Sequence, residues 1–337
     1  MNKRRETRAH KPAAMTTYLF LMISAIAASA QNDQTAGGMQ QASAQATVKL
    51  PQLGPHTFVP SDYVPGPFIQ TYIRNALGYA QSVELSSPPV VIAGQTVGGL
   101  KGDLLFAVLE FEYQHAVKKW LAVNVQVQAL SRLGTETQSL LFQGITAAAG
   151  YKLGWLFRLW RNDRMLLSGT INVMDNSFTT INLAQYIENI IAVGGLDPDN
   201  KLVNATPSVR GGGGLRWAYG VSQLVGLTFS VEGSYGESMT LRAGNQWYLD
   251  LGGAASLDLY AKHGIPLGFV IGFRQASVAE LGGDLDDTAH NGVLRISYTG
   301  RKDFSLGLES YFQSAKPSNL EKPVRSMGTV MTMRYYF

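Results

Sequence analysis

Met331, Met333, Tyr335 and Phe337 put an apolar side chain at every second position up to the end of the chain. A period of two marks a strand, whose successive side chains point to opposite faces, and argues against a helix. The same alternation recurs upstream. In 121–130, Leu121, Val123, Val125, Val127 and Ala129 share one face, and Ala122, Asn124, Gln126 and Gln128 the other. In 225–235, Val225, Leu227, Phe229, Val231 and Tyr235 oppose Thr228, Ser230, Glu232 and Ser234. Segments 104–113, 145–159, 165–174, 207–219, 247–259, 267–275, 293–299, 304–312 and 325–337 alternate too, and a weaker first strand falls in 68–79. About twelve strands of about ten residues result.

The front of the chain reads as an export signal. Lys3, Arg4, Arg5, Arg8 and Lys11 precede an apolar stretch from Met15 to Ala27, and Ala28, Ser29 and Ala30 offer small residues for cleavage. Residues 1–30 are therefore expected to be a cleaved signal peptide. They distort the charge summary: 28 basic and 24 acidic residues become 23 and 23 once their five basic and one acidic are removed. A neutral remainder gives no support to nucleic-acid binding. With no cysteine there is no disulfide, thiolate metal site or lipid-modified N-terminus. Outside the signal no apolar run has the length of a membrane-spanning helix. Strands crossing a membrane must close on themselves, because an open edge would leave backbone groups unpaired in lipid.

Connector lengths sharpen this. Counting back from Phe337 they alternate long and short: 314–323 long, 300–303 short, 276–290 long, 261–265 short, 237–245 long, 220–222 short, 175–204 very long, 160–163 short. Trp120, Trp155, Trp160 and Trp217, with Tyr113, Tyr219 and Phe337, cluster at the short-connector end, and Trp247, Tyr235 and Phe312 at the other. Together with the terminal Met333, Tyr335 and Phe337, the region from about Phe68 onward resembles Gram-negative outer-membrane β-barrels. The resemblance implies a transmembrane antiparallel up-and-down barrel over 68–337, short periplasmic turns, external loops, contact with outer-membrane lipid, and delivery to the barrel-assembly machinery through the C-terminal strand. Residues 31–67, rich first in Gln, Ala, Gly and Ser and then in Pro51, Pro55, Pro60, Pro65 and Pro67, read as a flexible periplasmic lead-in. No Asn-Pro-Ala tripeptide of the fatty-acid transporters is present.

The inward face is expected to carry Glu110, Glu112, Lys152, Arg158, Arg210, Arg216, Glu232, Asp250, Asp258, Arg274, Arg295, Glu309 and Arg334. Neighbouring strands offer opposite signs, as at Arg216 and Glu232 or Arg295 and Glu309. Two readings stand. Either a transverse field lines a pore for small polar solutes, or ion pairs fill and close a narrow barrel. Within the longest connector, 178–193 has one helix-like stripe of Leu183, Tyr186, Ile187, Ile190 and Ile191, expected either to plug or constrict the mouth or to pack on the rim.

Other signals are weaker. Gly211–Gly214 lies inside a strand without the Lys-Ser/Thr or helix that a phosphate loop needs. Asp284, Asp286, Asp287 and His290 lack a calcium-loop pattern, so no metal or other cofactor is expected. His115, His263 and His290 lie at turns and rim, not beside a mid-strand Ser, which leaves a lipid-modifying enzyme behind both the channel and a closed barrel acting through its loops.

Overall fold

The computed structural model describes residues 50–86, 90–92, 95–97, 101–133, 146–181, 203–206, 208–237, 244–277, 288–315 and 323–337. Twelve antiparallel strands close into one barrel. They are β1 (Tyr72–Ser86), β2 (Lys101–Lys118), β3 (Leu121–Leu133), β4 (Thr146–Arg161), β5 (Met165–Ile181) and β6 (Val209–Gly220). Next come β7 (Val225–Gly236), β8 (Gln246–Asp258), β9 (Leu267–Ser277), β10 (Thr288–Tyr298), β11 (Phe304–Ala315) and β12 (Val324–Tyr336). Each pairs with its chain neighbours, and β12 pairs with β1 from Arg325↔Val83 to Tyr336↔Tyr72, which closes the ring. Several strands outrun their alternating cores. β2 extends the expected 104–113 at both ends, and β5 continues to Ile181.

The side-chain pattern is inside-out. Leu77, Leu109, Ile171, Ile271, Leu294, Ile296 and Leu308 point outward and are each more than half exposed. Arg295, Glu309, Asn172, Ser168, Thr332 and Asp258 are buried inside. An apolar band of this extent around a whole barrel suits lipid rather than water. Aromatic side chains frame it. Trp120, Trp160, Tyr260, Tyr335 and Phe337 lie exposed at the short-connector rim, and Tyr151, Tyr235, Trp247 and Phe312 at the other. The short rim is made of 119–120, 162–164, 221–224, 259–266 and 299–303.

The glycine run of β6 is a strand, as its sequence context indicates. A Cβ at Gly214 would stand 2.0 Å from the Val231 carbonyl oxygen and 2.9 Å from Glu232 Cγ. Glycine there leaves the space over which the Glu232 side chain lies. The short helix seen is α1 (Tyr260–His263), in a short connector and ended by Gly264 at φ 69°. The helix expected over 178–193 begins inside β5, which runs to Ile181. Its remaining residues, including Leu183, Tyr186, Ile187 and Ile190, lie outside the described ones.

Residues 50–71 differ most from expectation. They are extended, as their prolines require, but they are packed inside the barrel and not free below it. Leu50, Leu53, His56, Phe58, Val59, Val64 and Pro67 are all buried. A two-residue hairpin, Gln52–Leu53 with His56–Thr57, pairs only with itself and adds no rung to the barrel ladder.

Replacing the outward Ile271 with Lys tests the lipid-facing assignment. In lipid it should destabilise the barrel by about 2–4 kcal/mol, read from denaturant unfolding in bilayers. An unchanged midpoint would place that face in water.

Candidate functional site

The lumen is built from two parts: the inward face of the strands and the segment 50–71 that crosses it. The segment touches every strand from β5 round to β2. Near the short rim, His56 Nδ1 lies 3.2 Å from the Gln223 carbonyl oxygen, and His56 Nε2 2.8 Å from Ser256 Oγ. Glycines make room for it. A Cβ at Gly226 would meet His56 Cδ2 at 2.3 Å, and one at Gly268 would meet Val59 Cγ2 at 2.4 Å. Leu53 and Phe58 pack on Leu166 and Ala218, and Val59 and Val64 on Ala254 and Val270. Ser168 Oγ donates to the Pro67 carbonyl at 2.8 Å, and Gln114 Nε2 to the carbonyls of Phe68 and Gln70 at 2.9 Å each.

At the centre of the segment sits Asp62. Its carboxylate meets Arg74 Nη1 at 2.9 Å, Arg295 Nη1 at 2.8 Å and Arg334 Nη2 at 3.3 Å, and accepts from Thr332 Oγ1. These partners come from β1, β10 and β12. Burial alone would raise the Asp62 carboxyl, but Arg74, Arg295 and Arg334, with Thr332, hold it well below the ordinary carboxylate range. The wall has its own carboxylates. Arg74 pairs with Glu110 and Glu112 at 2.8 Å each, and Arg295 with Glu309 at 2.7 Å. Glu309 also accepts from Ser61 Oγ at 2.7 Å and from the Asp62 backbone N–H at 2.9 Å. Tyr72 donates to Glu112 at 2.7 Å, and the Arg334 guanidinium lies 4.6 Å from the Tyr72 ring centroid.

Beyond this floor a cavity of about 700 Å³ runs toward the long-connector rim. On its wall Glu232 joins Lys152, at 2.9 Å, and Arg216. Asp250 pairs with Arg274. Arg210 lies 3.9 Å from the Tyr248 ring centroid and donates to Ser208 Oγ at 3.2 Å.

Of the inward residues expected from sequence, Glu110, Glu112, Lys152, Arg210, Arg216, Glu232, Asp250, Arg274, Glu309 and Arg334 border this cavity. The other three do not. Arg295 is fully buried behind Asp62. Asp258 is buried near the short rim, accepting from Thr299 Oγ1 at 2.9 Å and from the Tyr260 N–H at 3.1 Å. Arg158 stands at a bulge in β4 between Arg158 and Trp160, with its Nε buried and unpartnered. Sequence reasoning missed Asp62, Arg74 and His56. Arg74 was open to discovery, since β1 pairs it with Glu112 across the ladder.

His56 and Ser256 form a Ser–His contact, yet neither borders the cavity and both are almost fully buried. The ring's other nitrogen faces a backbone carbonyl, not a carboxylate. The pair therefore lacks substrate access and acts as a fastener for the segment. Among the described residues no group of three or more His, Asp or Glu side chains is arranged to hold a metal ion.

No protein-family model matches this chain, and no curated protein does. Comparison with solved structures returns alignments of low similarity. An outer-membrane channel from Pseudomonas putida F1 aligns at 10% identity and TM-score 0.48, over 83% of this chain and 99% of that one. The P. putida toluene transporter TodX aligns at 10% identity and TM-score 0.42, over 85% and 96%. The KdgM porin aligns at 9% and 0.39, over 78% and 99%. What the described residues themselves show is a closed, inside-out, twelve-stranded antiparallel β-barrel.

Burial holds the His56 pKa below its ordinary 6.5, outweighing the pull of the Gln223 carbonyl and of Asp258. A base whose pKa is lowered in the seated state stabilises that state above 6.5 and loses the stabilisation as pH falls below it. Hydrogen exchange at 50–60, corrected for its intrinsic rate, should therefore quicken several-fold between about pH 7 and about pH 5. His56→Gln should abolish that dependence. Equal protection at both pH values in the native chain would remove His56 as the sensitive fastener.

Proposed function

We propose that this chain is a passive outer-membrane channel for small polar solutes whose short-connector end is closed by residues 50–71. The observation that carries the reading is the charge-lined cavity of about 700 Å³ inside a closed barrel, stopped at one end by a segment whose own hairpin pairs only with itself. A barrel of twelve strands lies between those filled by side chains and those that leave an aqueous channel. Here a separable segment, and not the wall side chains alone, fills its short-connector half. The mixed wall charges give a polar solute both donors and acceptors without selecting strongly for one sign. In this reading residues 1–30 direct export and are removed, Met333, Tyr335 and Phe337 present the C-terminal strand to the assembly machinery, and the long connectors face outward.

Planar-bilayer conductance of the refolded mature protein beside a variant lacking 50–68 tests this. The intact protein should pass little current, and the deletion should raise unit conductance at least several-fold. Gly226→Val, which forces a side chain into His56, should lie between them. Silence from all three, with heat-dependent gel mobility retained, would favour the closed structural barrel acting through its loops.

A further inference from the structure

The group that Asp62 occupies is built like a receptor. Three guanidiniums from three strands and the Thr332 hydroxyl converge on one carboxylate. Without Asp62 the wall is already balanced: Arg74, Arg295 and Arg334 face Glu110, Glu112 and Glu309. Asp62 is the surplus charge, so its withdrawal strands no net charge on the wall. The socket also keeps donors in reserve, since Arg295 Nη2 and Arg334 Nε are buried without an acceptor. Arg74 and Arg334 border the cavity, so the socket is reached from the long-connector side. Along that approach the wall carries Lys152, Arg210, Arg216 and Arg274 with Glu232 and Asp250, so an arriving carboxylate meets basic groups before it reaches the socket.

We propose that the Arg74–Arg295–Arg334 socket is a recognition site for the carboxylate of small organic acids, with Asp62 as its resident occupant. An arriving carboxylate replaces a carboxylate, so the charge of the socket is unchanged by the exchange. The exchange frees the central anchor of residues 50–71, and the solute that displaces the anchor is the one that needs the path. This rests on the channel reading only for what happens to the solute afterwards. The binding step stands apart from it.

The absence of cysteine provides the test. Val64 is 2% exposed beside Asp62, and Val64→Cys keeps a small apolar side chain. The refolded Val64→Cys protein in detergent micelles is labelled with a water-soluble maleimide at constant ionic strength. Acetate, which copies the head of the Asp side chain, is compared with neutral acetamide and with chloride. Acetate should speed labelling several-fold and saturably, whereas acetamide and chloride should not. Adding Asp62→Asn should give labelling tenfold or more faster and indifferent to acetate. The same rate with acetate as with acetamide would overturn the proposal, as would an Asp62→Asn protein labelled as slowly as its parent. If Asp62→Asn does not refold, the acetate and acetamide comparison on Val64→Cys alone decides. No conductance from the protein lacking 50–68 would sink the channel while leaving this labelling result intact.

Discussion

Closure of β12 on β1 is the constraint on which everything else depends. In lipid a backbone N–H or C=O with no partner costs several kcal/mol, and only a ring of strands leaves none at an edge. Twelve register positions between Arg325–Tyr336 and Val83–Tyr72 make that closure. Once the ring is closed, parity decides each side chain's solvent. Within each strand alternate positions part company: Leu77 and Ile271 meet lipid while Arg74 and Arg274 meet the lumen, and on β10 Leu294 faces out while Arg295 faces in. A one-residue slip in any pair would turn guanidiniums into the bilayer, so the charges inside also enforce the register that put them there.

The lumen then presents a second problem. A ring of twelve strands is too wide for its own wall side chains to fill, and too narrow for its charges to be fully hydrated. The wall answers with pairs between neighbouring strands, as at Arg216 with Glu232 and Arg295 with Glu309. Residues 50–71 answer it differently. They bring Leu53, Phe58, Val59 and Val64 against Leu166, Ala218, Ala254 and Val270, which are apolar lumen positions that an open aqueous channel would leave wet. Apolar inward residues near the short rim thus mark where the segment docks, and charged ones beyond them mark the space it leaves open.

The sequence made the wall legible because a strand has a local rule. Alternation of period two is visible in a window of ten residues, and the lumen side of Glu110, Lys152, Asp250 or Arg334 follows from parity alone. The same rule could not see which inward residues meet each other across the barrel. Lys152 on β4 and Glu232 on β7 are far apart in sequence and not on adjacent strands, so their 2.9 Å contact is a property of the closed ring. The place of residues 50–67 is hidden in the sequence for a related reason. Five prolines describe a segment that cannot be a helix, which fits a tether and a plug equally well. The distinguishing signal was present in composition. Between Leu50 and Thr71 stand Phe58, Val59, Tyr63, Val64 and Phe68, with Asp62 as the single acid and no Lys or Arg. A solvated tether has little use for that apolar content.

Proline also explains why the segment can close the barrel without becoming part of it. Pro51, Pro55, Pro60, Pro65 and Pro67 offer no backbone N–H, so the chain cannot add itself as another strand to an interior surface whose ladder is already complete. Its attachment must come from side chains and isolated backbone groups: the His56 ring, the Asp62 carboxylate, and carbonyls at Pro67, Phe68 and Gln70. Each of these contacts can be exchanged for water or a solute group without breaking a rung between strands. A filling element with ladder bonds would leave only by local unfolding, whereas one held by a handful of polar contacts and a modest apolar face can leave an intact ring behind. In the proposed channel, this division of labour between strand backbone and segment side chains would let one chain be both a sealed barrel and a passage.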